Sequence, residues 1–131
     1  MTLQRLQPPD LPRSPAFSQV VVGVGGRTVF VAGQVSMDAG GHAVAPGDFA
    51  GQARQVHLNL ARALEAAGAT PADVAKMTTY VVGYSPELLP AIADARRAVL
   101  GEHLPASTLI GVAALARPEF LIEVEAIAVL D

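Results

Sequence analysis

The sequence predicts an α+β domain with the element order ββαβαββ, a mixed sheet carrying two helices on one face. Three observations predict it. Short runs rich in Val, Thr and Ile recur at both ends of the chain and once in its middle. Two longer segments between them repeat their apolar residues at helical spacing. Gly, Pro and Asp stand at the junctions, where chains turn and helices start or stop.

Taken in order, residues 1–18 are proline-rich and lack periodic apolar positions, which predicts an extended N-terminal arm. Val20–Val24 and Thr28–Ala32 are β-rich runs separated by Gly25-Gly26, a pair able to take positive φ, so a hairpin is expected. Residues 36–47 form a loop. Asp48 then caps a helix over 48–67, with Phe49, Ala53, Val56, Leu60, Ala63, Leu64 and Ala67 on one face and Gln52, Arg54, Gln55, Asn59 and Arg62 largely on the other. Gly68 ends it.

Thr70-Pro71-Ala72-Asp73 starts a short helical turn leading into a strand over Lys76–Val82. Ser85 and Pro86 open a second helix whose apolar face is Leu88, Ile92, Ala95 and Val99. Strands over Ala106–Ala114 and Glu119–Val129 close the chain, joined through Ala116-Arg117-Pro118.

A chain of 131 residues, 51% hydrophobic and 16% charged, fits one domain with a buried core, and that domain is expected to span 1–131. A net charge of −3 with no basic stripe argues against nucleic acid as a partner. The absence of cysteine excludes disulfides, thiolate metal sites and a cysteine nucleophile. The first residues lack the apolar core of a signal peptide, and no apolar run is long enough to span a bilayer. A cytoplasmic location with no membrane partner is therefore expected.

Two helices cover only one face of such a sheet. In the last strand Phe120, Ile122, Val124, Ala126 and Ala128 form the helix-facing side, yet the opposite side, Leu121, Glu123, Glu125, Ile127 and Val129, is also largely apolar. Such a face marks an association surface. At ~25 cal/mol per Å² of apolar area, an interface of ordinary size supplies the drive to hold copies together. Symmetric self-association is the expected outcome.

Several segments then carry a resemblance in order and spacing: Pro15-Ala16-Phe17-Ser18-Gln19, Val31-Ala32-Gly33-Gln34-Val35, and Gln52-Ala53-Arg54-Gln55-Val56 with Asn59-Leu60. Glu65-Ala66-Ala67-Gly68-Ala69, Lys76-Met77-Thr78-Thr79-Tyr80-Val81, Leu104-Pro105-Ala106 and Glu123-Val124-Glu125-Ala126-Ile127-Ala128 extend it. From about residue 15 to the end, the chain resembles the reactive-intermediate deaminase (RidA/YjgF) family. The resemblance implies a chorismate-mutase-like fold, a homotrimer, and a small-molecule pocket between neighbouring subunits. It also implies hydrolysis of enamines and imines released by pyridoxal-phosphate enzymes, giving a carbonyl compound and ammonia without metal or cofactor. An older label, endoribonuclease, travels with the family; the acidic charge and lack of a basic groove or paired catalytic histidines give it little support here.

By the same resemblance, Glu123 is the catalytic residue that positions or activates water, and Phe17, Ala32, Gly33, Ser107, Thr108 and Leu109 are substrate-binding positions. The chain departs from the family pattern at several of these. Ser107 stands where an arginine would clamp a substrate carboxylate, and a hydroxyl cannot replace a guanidinium fork. Losing that partner costs on the order of a few kcal/mol of carboxylate binding. Phe17 replaces a tyrosine, Ala32 a serine, and Leu109 a small polar or thiol residue. The alternative reading is a non-catalytic trimer that binds a small apolar metabolite or a protein client.

Residue by residue, Glu123 and Glu125 share one strand face roughly 7 Å apart. A carboxylate near an apolar interface suits general acid or base work. Glu125 is expected to form a structural ion pair with a neighbouring subunit. Ser107 and Thr108 are expected to bond local backbone, and no base is placed to make Ser107 a nucleophile. Arg96, Arg97 and Arg117 are expected as solvated charges, a replacement for the lost cation being the alternative. His42, His57 and His103 lack metal spacing and are expected in surface or capping roles. Gly23-Val24-Gly25-Gly26 precedes no helix, so a phosphate loop is rejected.

Overall fold

A computed structural model describes residues 3–131. Its elements are β1 (Leu3–Leu6), β2 (Val20–Gly23), β3 (Arg27–Gln34), α1 (Phe49–Ala66), β4 (Val74–Val82), α2 (Leu89–Leu100), β5 (Ala106–Val112) and β6 (Ile122–Leu130). Four strands form the main sheet in the order β3-β6-β4-β5; β4 and β5 run parallel and the other pairs are antiparallel. The mixed sheet with two helices is therefore as expected. Among the described residues, no helix is long and apolar enough to cross a membrane.

Alternation decides the layering. Along β6, buried residues (Ile122, Val124, Ala126, Ala128) alternate with half-buried ones (Glu123, Glu125, Ile127, Val129). The buried set meets Val56, Leu60 and Leu64 of α1 and Ala95 and Leu100 of α2 in one core. Burying a Leu or Val side chain contributes roughly 1.5–3 kcal/mol, so this stripe dominates the fold's stability. The expected helix-facing side of the last strand is the observed one.

The start of the chain corrects two expectations. Gly25-Gly26 do not make a β2–β3 hairpin: neither glycine has positive φ, and β2 pairs antiparallel with β1 in a separate two-stranded ribbon. β3 instead pairs with β6. The expected arm is extended, but Leu3–Leu6 is a hydrogen-bonded strand, and it buries Leu3. Farther on, Ser18 bridges Ala106, its amide donating to the Pro105 carbonyl at 3.1 Å. That bridge holds Phe17 at the β5 edge.

Helix α1 starts as expected: the Asp48 carboxylate accepts from the Gly51 amide at 3.0 Å, and Gly68, at φ 75°, lies just past its end. Its predicted polar face is too wide, however. Gln52 is fully buried, donating to the Glu119 carbonyl at 2.8 Å and accepting from the Leu121 amide at 2.9 Å. This clamp fixes the approach to β6. Asn59 donates to the Val35 and Met37 carbonyls at 3.1 and 3.0 Å, fixing the chain after β3.

In α2, a 3₁₀ turn over Pro86–Leu88 leads into the helix, and Pro90 lies in the first turn, where its missing N–H costs nothing. β4 starts earlier than expected, and β5 ends earlier. β6 begins at Ile122, not Glu119, because Arg117 and Gln52 hold residues 117–121 in a separate path.

Candidate functional site

The expected site residues fall into two clusters on opposite faces of the main sheet. The first lies on the uncovered face. Between Val31 and Gln34, β3 carries one more residue than β6 spans between Ala126 and Val124, a bulge at Ala32-Gly33. A β-carbon built on Gly33 would collide with the Glu123 carboxylate, its Cδ only 2.8 Å away. The catalytic candidate thus packs against bare backbone at Gly33. Opposite it in β4 is Tyr80, whose hydroxyl donates to Glu125. That bond, followed by burial and the charges of Glu125 and Glu123, raises the Tyr80 pKa. Within the chain, Glu125 is therefore held by a phenol.

Thr108 is on this same face, paired in register with Thr78. Contrary to expectation it does not bond local backbone: its hydroxyl receives a hydrogen bond from Lys76 Nζ at 2.7 Å.

The second cluster lies on the helix side. Ser107 pairs with Met77 and Leu109 with Thr79, so both point toward α2. With Phe17 they line a cavity of about 310 Å³, closed by Leu89, Ile92 and Arg96 of α2 and by His57 of α1. A pocket of this size suits a small metabolite.

Two residues of this cavity differ from the sequence expectation, His57 from a surface or capping role and Arg96 from a solvated charge. His57 is fully buried; its Nδ1 lies 2.7 Å from the Ala53 carbonyl, and its Nε2 has no partner. Burial lowers its pKa, the Ala53 carbonyl acts the other way, and the Arg96 charge lowers it further. The reason for the miss is packing: α2 lies against α1 and widens the buried arc to include position 57. Arg96 is half-buried, donates to the Ala16 carbonyl at 2.7 Å, and keeps a buried Nε without a partner. Burial, then the like charge of Arg97, lowers its pKa, while Glu102 opposes them.

The remaining cations and histidines are structural or exposed. Arg97 pairs with Asp94 at 3.6 Å on the surface. Arg117 is not simply solvated: it stacks 5.1 Å from the Phe120 ring centroid and donates to the Gly41 carbonyl at 3.0 Å. His42 is exposed beside Asp38, as expected. His103 is half-buried between Arg5 and the Val74 carbonyl, 2.6 Å away, which ties the β1–β2 ribbon to the sheet. Among the described residues, no group of three acidic, histidine or cysteine side chains is placed to hold a metal ion.

Two helices laid on one face of a mixed sheet, with these connections, define the chorismate-mutase-like class of α+β domain. The chain belongs to the RidA/YjgF family, whose model, described as Endoribonuclease L-PSP, matches residues 10–130. It is 34% identical over 114 residues to the 2-iminobutanoate/2-iminopropanoate deaminase of Rattus norvegicus, covering 87% of this chain and 80% of that protein. A deaminase of the same name from Dermatophagoides farinae is 29% identical, covering 81% and 80%. Among solved structures, the Rid-family protein YyfB of Yersinia pestis, described as of unknown function, superposes with a TM-score of 0.93 at 44% identity, covering 99% and 100% of the two chains. The YjgF gene product of E. coli gives 0.68 at 32% identity, covering 86% and 87%.

Proposed function

We propose that the protein hydrolyses small imines or enamines to a carbonyl compound and ammonia, in a cleft formed where copies of the chain meet as a trimer. The observation that carries this reading is the Glu123 carboxylate, held against the Gly33 backbone on a sheet face that no helix covers. Relatives named as 2-iminobutanoate/2-iminopropanoate deaminases support it.

The uncovered face needs a partner. Phe30, on the edge strand β3, is 76% exposed on this face, and Ile110 is exposed on it at the opposite edge strand β5. Shielding such residues favours association. Since the sheet separates Glu123 from Phe17, Ser107 and Leu109 within one chain, a second copy is needed to bring the two clusters together. A ring of head-to-tail contacts does this once per interface.

In this cleft Glu123 takes a proton from water as the oxygen adds to the carbon of the C=N bond. The proton passes to nitrogen to give a carbinolamine; Glu123 then moves the carbinolamine's hydroxyl proton to the same nitrogen, the C–N bond breaks, and ammonia leaves as the C=O bond forms. The reaction consumes one water and needs no oxidant or cofactor. Ser107 at the position of the family's arginine, with Phe17 and Leu109, gives the cavity a more apolar wall.

The test is the decay of imines, generated in situ by a pyridoxal-phosphate lyase and followed spectroscopically, with native protein and Glu123→Gln. Acceleration by the native protein alone is expected. If several imines decay no faster than in buffer, the reading fails. The apolar wall would then favour a non-catalytic trimer that binds a small apolar metabolite or a protein client.

A further inference from the structure

Helix α2 turns one edge toward the cavity: Leu89, Ile92, Ala93 and Arg96 line it at intervals of three and four residues. Three of these are apolar. The fourth ends in a guanidinium that is bonded to the chain itself, donating to the Ala16 carbonyl at 2.7 Å. Ala16 and Phe17 line the same cavity. The bond therefore joins α2 to the segment that carries Phe17.

That segment has little else to hold it. Between β1 and β2 the chain forms no helix or strand, so individual bonds must offset the entropy lost in ordering it. After Phe17, Ser18 fastens the chain to the entrance of β5. Its amide donates to the Pro105 carbonyl at 3.1 Å and its hydroxyl to the Leu104 carbonyl at 2.5 Å. Before Phe17, the Ala16 amide donates to Ser14 Oγ at 3.0 Å, a bond inside the same loop that moves with it. Arg96 is what ties this side to the helix layer, and a charged donor makes the stronger kind of hydrogen bond. Phe17 thus stands between two anchors, one at the strand edge and one on α2. The next residue, Arg97, lies outside the cavity lining and pairs with Asp94 at 3.6 Å on the surface.

We infer that Arg96 is a positioning residue of the working site: by holding the Ala16 carbonyl against α2, it keeps the Phe17 ring in place as a wall of the cavity. The placement of Phe17 is set by helix α2 as much as by strand β5. This rests on the proposed function only in taking the cavity as part of the working site.

The test reads position and turnover separately. The protein has no tryptophan, so Phe17→Trp supplies a single indole reporter on this segment. In that background Arg96→Met should move the emission to the red and raise acrylamide quenching severalfold, while Arg97→Met should change neither. In imine hydrolysis by the otherwise native chain, Arg96→Met should raise KM about tenfold at nearly unchanged kcat, because a wall meets substrate and transition state alike. Arg96→Lys, which keeps a charged donor, should recover part of that loss. Added to Phe17→Ala, Arg96→Met should cost little more, since both act through the same ring.

Emission and quenching indifferent to Arg96→Met would overturn the inference. So would a loss confined to kcat, or KM effects of Arg96→Met and Phe17→Ala that multiply, which would mean that Arg96 meets the substrate directly. If Arg96→Met fails to fold, Arg96→Gln, neutral and shorter, takes its place in each measurement. If the native protein hydrolyses no imine, the deaminase reading falls and the reporter alone decides the role of Arg96. Hydrolysis with a reporter indifferent to Arg96 overturns this inference alone.

Discussion

The Glu123 carboxylate fills the space that a β-carbon on residue 33 would need. A glycine in the β3 bulge is therefore a condition for the position of the acid on the open face. Gly33→Ala is expected to leave the fold intact, because the carboxylate tip can swing away, but to move the acid from its place. A displacement of about 1 Å can cost on the order of 10²-fold in rate. Imine hydrolysis by Gly33→Ala should fall by one to two orders of magnitude at unchanged circular dichroism; native-like turnover would refute the arrangement.

Gln52 joins α1 to the approach of β6 through the Glu119 carbonyl and the Leu121 amide. Gln52→Leu keeps the volume and strands both backbone groups. A loss of roughly 2–5 kcal/mol is expected, read from urea denaturation midpoints. A loss below about 0.5 kcal/mol would mean the clamp is dispensable.

How much of this was legible in the sequence depends on the range of the interaction. The alternation of Ile122, Val124, Ala126 and Ala128 and the spacing of Val56, Leu60 and Leu64 are local, and they gave the buried faces of β6 and α1 directly. Which strand pairs with which is not local. The β2 run has the same composition whether its neighbour is β3 or β1, and only the fold assigns it to Leu3–Leu6. His57 carried an overlooked signal: it lies four residues after Ala53 and three before Leu60, inside the apolar stripe. Arg96 carried a similar one, four residues after Ile92 and three after Ala93. What hid both was residue type, since charge and imidazole suggest water until a second helix is seen to cover them.

Because burial lowers the His57 pKa, the unfolded chain takes up a proton there at a higher pH than the folded one. Stability is fully present above the usual imidazole value of about 6.5 and declines as pH falls below it. His103, lowered chiefly by burial as well, acts in the same direction. Thermal melts between pH 7.5 and 5 should therefore show a steeper fall for the native protein than for His57→Leu, His103 contributing equally to both. Parallel curves would show that His57 does not stay neutral in the fold.

Phe30 is the most exposed large apolar side chain on the uncovered sheet face. If copies of the chain meet there, Phe30→Asp puts a desolvated charge into the contact, and sedimentation velocity should show a shift from trimer to monomer at micromolar concentration. Native protein that already sediments as a monomer, or a variant indistinguishable from it, would remove the shared cleft.

The most direct measurement of the central claim, a working site assembled from two chains, is a subunit-mixing experiment. Glu123→Gln disables the acid on the open face, and Ser107→Trp fills the cavity on the helix side; each alone should be inactive toward imines. Dissociated and reassembled together in equal amounts, they form some interfaces in which both halves are intact, and about one quarter of native activity should return. A mixture that stays as inactive as its two parents, after exchange of subunits has been verified, would contradict a site shared between copies.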